Sequence, residues 1–225
     1  MKVTKAQAQA NRAHIVETAS ALFRERGYDG VGVAELMAAA GFTHGGFYKH
    51  FRSKADLMAE TAASGLSQSL AMTGKMDLAK FINVYVSRAH RDGRGAGCTM
   101  AALCGDAARQ TEDVKATFAA GIEDMLAALG KEEGSTQDSD PNATHDSARN
   151  PRQDSPKNPM QDSDLTADAD STAKRARAKR IDLLAHVIGA VALSRACPDD
   201  SPLADEILEA CRSELLASLA PKAAG

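Results

Sequence analysis

The sequence predicts an all-α protein of about nine helices, a three-helix N-terminal domain followed by a larger helical domain. Three observations predict it. Hydrophobic residues make up 44% of the 225 residues but aromatic ones only 4%, with no Trp, so the core rests on Ala, Leu, Ile, Val and Met. Ala and Leu favour helix, whereas strands want β-branched and aromatic side chains. Apolar residues recur three and four apart along most of the chain, and Gly, Pro and capping residues punctuate the intervals.

Residues 1–10 read as a polar arm. Asn11 to Arg26 is the first predicted helix, with Ile15, Ala19, Leu22 and Phe23 on one stripe. Gly27 stops it, and Tyr28-Asp29-Gly30 makes a turn. Val33 to Ala40 is the second helix, and Gly41 is placed to end it in the left-handed backbone region. The stretch from Gly41 to Phe51 supplies the third. Thr43 is its cap, Phe47 and Phe51 share a face, and Phe42 packs near its entry. Two helices joined by a short glycine-containing turn form a helix-turn-helix. The second helix of that motif turns its N-terminal residues to the DNA major groove, and here that end carries Thr43, His44, Gly45 and Gly46.

Two adjacent glycines cost a helix roughly 1 kcal/mol each relative to Ala. A cost of that size predicts that another surface comes close. Charge points the same way. Residues 1–54 hold eight Lys and Arg against four Asp and Glu, a local excess in a chain of net charge −3. A basic head on an acidic body is a local anion-binding surface. Tyr48, Lys49 and His50 project from the predicted third helix. Ser53 caps a fourth, from Lys54 to about Ser69, and Lys54 at its N-terminus reads as a phosphate contact.

The span from about residue 11 to 57 resembles the DNA-binding domain of TetR-family bacterial repressors. The resemblance rests on Leu22-Phe23, on Gly27-Tyr28-Asp29-Gly30-Val31 and on Leu36 through Gly41. It continues through Phe42-Thr43, Phe47-Tyr48, His50-Phe51 and Ser53-Lys54. Two residues depart from the family pattern: Gly32 stands where Thr or Ser usually caps the second helix, and Met37 where Ala is frequent. The resemblance implies a homodimeric, ligand-responsive repressor bound to double-stranded DNA. It assigns base edges to Thr43, His44 and Gly45, and phosphates to Tyr48, His50 and Lys54. It divides the chain into a reading domain, 1–53, and a ligand-binding and dimerisation domain, 54–225.

The second domain is read from composition. Met76 to Arg88 is predicted helical, then Arg91 to Gly97 is a glycine-rich break. That break lacks the Gly-Lys-Ser/Thr ending and a preceding strand, so it is no phosphate loop. Helices follow over Cys98 to Arg109 and Glu112 to about Leu129. Residues 131–170 hold ten Asp and Glu, four Pro and no aromatic residue, and the run from Arg149 to Ser155 is echoed from Lys157 to Ser163. This low-complexity segment is predicted to be a disordered acidic insertion. The basic run Lys174 to Arg180 opens a helix as a solvated first turn, and Ser201 with Pro202 starts the last helix.

By resemblance, the middle helices enclose a ligand cavity, with Phe81, Tyr85, Met100, Cys104, Phe118 and Met125 as candidates. The last two helices pair with a second copy, with Leu184, Ile188, Val191, Ile207, Leu208 and Cys211 as the expected interface. The four cysteines form no Cys-x-x-Cys pair, so reduced thiols without metal are expected. Cys98 opens a helix, where a thiol gains reactivity, and a redox- or electrophile-sensing repressor is one alternative. The rival from another class is a helical binding protein that no longer reads DNA. Six scattered His and no acid, base and nucleophile grouping argue against an enzyme, and no cofactor is expected. No secretory signal or apolar run of about 18 residues is present, so a cytoplasmic protein is expected.

Overall fold

The computed structural model describes residues 4–74, 76–135 and 160–220. Among them every regular element is helical: α1 (Lys5–Arg26), α2 (Val33–Ala39), a 3-10 segment (His44–Lys49), α3 (Lys54–Thr73), α4 (Leu78–Tyr85), α5 (Arg88–Asp92), a 3-10 turn (Arg94–Ala96), α6 (Thr99–Ala107), α7 (Glu112–Ser135), α8 (Met160–Ala196) and α9 (Pro202–Leu219). The all-α expectation holds.

The predicted N-terminal arm is helical from Lys5 onward. Thr4 caps α1 by accepting from the Gln7 amide at 3.2 Å, which satisfies one amide of the first turn. Gly27 ends α1 at φ 76° and Gly41 follows α2 at φ 78°, both in the region that only glycine enters readily. Ser53 caps α3 as expected, accepting from the Asp56 amide at 3.1 Å. The predicted helix from Met76 to Arg88 divides. It breaks at Val86, and Ser87 starts α5 by capping the His90 amide at 3.2 Å.

The core runs through the whole protein. Ile15, Phe23, Tyr28, Leu36, Phe47 and Phe51 join Leu57, Ile82, Met100, Val114, Val187 and Val191 in one buried cluster. α3 is shared. It packs against α1, and also against α7, where Gly121 seats against Leu66. α8 and α9 pack as an antiparallel pair, closed by the Ser194 hydroxyl on the Ala204 carbonyl at 2.8 Å. Arg91, 1% exposed, ties α5 to that corner through the Ser194 carbonyl at 3.2 Å, while Asp92 of α5 itself pairs with the guanidinium at 2.8 Å.

Two expectations for the second domain need correction. α7 runs on to Ser135 and α8 begins at Met160, so helix occupies both margins of the predicted insertion. Residues 136–159 lie outside the described residues. The basic run is the middle of α8 rather than its first turn, and Lys174, Arg175, Arg177 and Lys179 are exposed as expected. Arg177 pairs with Glu123 at 2.6 Å and Arg180 donates to the Leu126 carbonyl at 3.2 Å, so both fasten α8 to α7.

Candidate nucleic-acid interface and effector cavity

The third element of the head is a 3-10 segment, not the predicted α-helix. Its bonds span three residues, Gly46 to the Thr43 carbonyl and His50 to the Phe47 carbonyl, each at 2.9 Å. Thr43 holds the N-cap position with no side-chain cap bond. Phe47 and Phe51 are both buried with ring centroids 5.4 Å apart, so the expected shared face is real. Phe42 packs at the entry, beside the rings of His14 and His50, each at 6.4 Å.

These anchors leave one surface outward. Thr43, His44, Gly45, Lys49 and Arg52 are exposed, and Tyr48 is 67% exposed. His50 is half-buried against Phe51. A side chain at position 45 would meet nothing within 4 Å, and neither Gly45 nor Gly46 has positive φ. Neither backbone conformation nor intrachain packing therefore requires the glycine pair. Position 32 is also open, and α2 starts there with no side-chain cap.

Two cations face inward instead. Lys54 donates to the Tyr28 carbonyl at 2.5 Å and lies 5.9 Å from the Phe23 ring. The ammonium fastens α3 to the α1–α2 turn, a role inside the head beside the phosphate contact expected of it. Arg12 donates to Glu60 and the His50 carbonyl and stacks 4.4 Å over Phe51. Its role was not legible, because Glu60 lies 48 residues away. Arg52, exposed beside Lys49, is a basic residue of the surface that motif matching passed over.

A cavity of about 110 Å³ opens between α3, α4 and the stretch after α5. Met72, Met76, Phe81, Val84 and Tyr85 form its apolar side, and Arg24, His90, Gly97 and Cys98 its polar end. Of the six predicted ligand residues, Phe81 and Tyr85 line it. Met100, Phe118 and Met125 are core, and Cys104 packs against the core with its thiol pushed up to about 11 by burial. Periodicity marks a buried face but not what the face is buried against. Cys98 is a buried wall residue at the N-cap of α6, and its amide donates to His90 Nε2 at 3.1 Å. Burial lowers the His90 pKa, and its Nδ1 sits 2.7 Å from the Tyr85 carbonyl, so the ring is neutral with the proton on Nδ1.

Head and cavity are mechanically joined. Arg24 of α1 lines the cavity and donates to the Gly95 carbonyl at 2.8 Å and to Ser20 at 2.5 Å. α6 starts at the cavity wall and ends at the head, where Asp106 accepts from the Tyr28 amide at 2.9 Å. Of the six predicted dimer residues, Leu184, Val191 and Leu208 are buried within the protomer, and Ile188, Ile207 and Cys211 are half-buried. The exposed apolar residues of α8 and α9 are others: Ile181, Leu193, Leu203 and Leu219.

Fold and surface define a helical protein with an N-terminal helix-turn-helix whose reading edge is unobstructed. The family model for bacterial regulatory proteins of the tetR family matches residues 15–61. The head of this chain therefore carries the tetR-family sequence pattern. Similar relatives are the transcriptional regulator AcrR of Shigella flexneri, 42% identical over 57 residues, and the repressor DhaR of Mycobacterium sp. (strain GP1), 49% identical over 43 residues. These matches span 25% and 19% of this chain and 26% and 22% of the relatives, about a quarter of each. Beyond them the likeness is one of fold. The reduced form of NemR from E. coli superposes with a TM-score of 0.65 at 17% identity, covering 95% of this chain and 100% of NemR. A TetR-family regulator from Cytophaga hutchinsonii gives 0.62 at 16% identity, covering 99% of this chain and 100% of that one. Among the described residues no helix is long and apolar enough to cross a membrane.

Proposed function

We propose that the chain is a DNA-binding transcriptional repressor that acts as a homodimer and leaves its operator when a small molecule fills the cavity. The observation that carries this reading is the open edge from Thr43 to Gly45, held outward by Phe47 and Phe51 and flanked by Tyr48, Lys49 and Arg52. Base edges fall to Thr43, His44 and Gly45, while Tyr48, Lys49, His50 and Arg52 hold phosphates, which set register rather than sequence. The division of labour is a reading head, residues 1–53, and an effector and pairing body, residues 54–225. The action is one of binding rather than catalysis, and its place is the cytoplasm.

Two heads at fixed spacing read a palindrome, which one head cannot. The outward faces of α8 and α9, with Ile181, Leu193 and Leu203, offer the apolar surface for pairing. Coupling follows from α6. A ligand that moves its Cys98 end also moves Asp106 against the Tyr28 turn, and so alters the spacing of the heads. By linkage the ligand weakens DNA binding by the factor by which DNA weakens ligand binding.

The test is a gel shift with DNA flanking the coding region, using wild type and Gly45→Ala. Wild type should shift a discrete fragment. Gly45→Ala should fold at least as stably yet lose about tenfold or more in affinity, because the methyl group meets the groove. No shift by wild type leaves the helical binding protein that no longer reads DNA. Unchanged affinity in the variant places the contacts elsewhere.

A further inference from the structure

Four buried side-chain polar atoms lack a hydrogen-bond partner among the described residues: the hydroxyls of Tyr28, Tyr85 and Thr99, and Nη1 of Arg195. Three of the four lie at or just behind the polar end of the cavity, Tyr85 in its lining and Thr99 and Arg195 behind lining glycines. Tyr85 lines it, with its hydroxyl beside the weakly bonding Cys98 thiol. Thr99, 1% exposed, stands against Gly65 of the wall, where a β-carbon would lie 2.2 Å from its hydroxyl oxygen and 3.3 Å from Nη1 of Arg24. Arg195 stands behind Gly97, where a β-carbon would lie 3.3 Å from its Nη2. Its other donors are engaged, Nη2 to the His90 carbonyl at 2.8 Å and Nε to the Arg91 carbonyl at 2.9 Å.

Charge at this end is as unbalanced as hydrogen bonding. Neither Arg24 nor Arg195 has a carboxylate within ion-pair distance among the described residues, Glu25 acts on Arg24 from farther off, and burial opposes the charge of both. Arg91 and Arg94 add positive field at Arg195, while neutral His90 adds none. Buried polar groups and buried charges are ordinarily satisfied. Arg195 Nη1 can only donate and both hydroxyls can donate, so one acceptor would satisfy all three, and the guanidiniums favour an acceptor that is an anion.

The geometry points to a small monocarboxylate as the occupant of this cavity. Its carboxylate sits among Tyr85, Thr99 and the two guanidiniums, and its short apolar body lies along Met72, Met76 and Phe81. The volume of about 110 Å³ suits a short ligand, well under the roughly 300 Å³ at which sites for drug-sized molecules begin. This assignment rests on the reading of the cavity as the effector site and names the ligand class it takes.

The test measures binding to the DNA-free, full-length protein by calorimetry. The probes are butanoate, hexanoate and benzoate, each against its neutral amide. The acids should bind at least tenfold more tightly than the amides. Tyr85→Phe and Thr99→Val delete only unpartnered hydroxyls, so each should melt no lower than wild type while losing about fivefold or more in carboxylate affinity. Amides that match the acids, hydroxyl deletions that leave affinity unchanged, or no binding by any acid would each overturn the assignment, the last showing that water alone fills the polar end. A chain that binds carboxylate but shifts no DNA sinks the repressor reading and leaves this one standing. Release from DNA by a neutral amide does the reverse.

Discussion

In the head, Arg12 is met by Glu60 and the His50 carbonyl, Lys54 by the Tyr28 carbonyl, and the Tyr28 amide by Asp106. Around the cavity, Tyr85, Thr99 and Arg195 each keep a buried polar atom without a partner. The Tyr28 hydroxyl is the head's exception. Both regions hold half-buried cations, but the head leaves one buried polar atom open where the cavity end leaves three. A closed network fixes one geometry, as a surface that must match DNA requires. An open one leaves stability to be gained when something enters.

The contrast can be tested most severely at the head's anchor. Phe47→Ala removes a side chain that is 1% exposed and stacked on Phe51, and should lower stability by about 3–5 kcal/mol in urea unfolding. DNA binding should vanish with it. A variant that still shifts DNA at full strength would show that the 3-10 segment holds its shape without the ring.

Lys54→Met comes next, at about 1.5–3 kcal/mol for losing a charge-assisted bond from a half-buried ammonium to the carbonyl of buried Tyr28. Among molecules that remain folded, the slope of log affinity against log salt should not change. A slope lowered by about one, the mark of a lost phosphate contact, would return Lys54 to the DNA surface.

The cavity side responds to pH through His90. Burial lowers its folded pKa below the ordinary 6.5, so the unfolded chain binds the proton more readily. The His90 contribution is therefore complete above 6.5 and declines as pH falls from 6.5 toward the depressed folded value. Urea midpoints measured at pH 7.5 and 5.5 should fall toward the lower pH, and the fall should shrink in His90→Gln. An equal fall in both proteins would move the proton uptake to another group.

The smallest effect is expected at Gly32. The position is open and α2 lacks a side-chain cap, so Gly32→Ser should raise stability by only a few tenths of a kcal/mol. A thermal melt that falls instead would mean the hydroxyl cannot reach the α2 amides.

What was legible in the sequence divides along the same boundary. The head could be read because its signals are local. Gly27 and Gly41 mark the two positive-φ turns, and the spacing of Phe47 and Phe51 gives the buried face. The third element was misjudged in kind, since helical spacing over six residues does not separate 3-10 from α. In the body the decisive contacts join distant residues, such as Arg24 to Gly95 and Arg195 to His90, and no pattern in one sequence pairs them. Stripe reading found Leu184, Val191, Leu208, Phe118 and Met125 as buried residues. It could not say that their cover is the same chain rather than a partner or a ligand.

Gly45 has a further consequence. Because a β-carbon there meets nothing of its own protein within 4 Å, a small side chain is sterically admissible at this exposed edge without repacking the head. On the proposed reading, operator preference can drift by small substitutions at position 45 while Phe47, Phe51 and the α1–α3 core stay as they are. The open glycine separates what holds the head together from what the head meets.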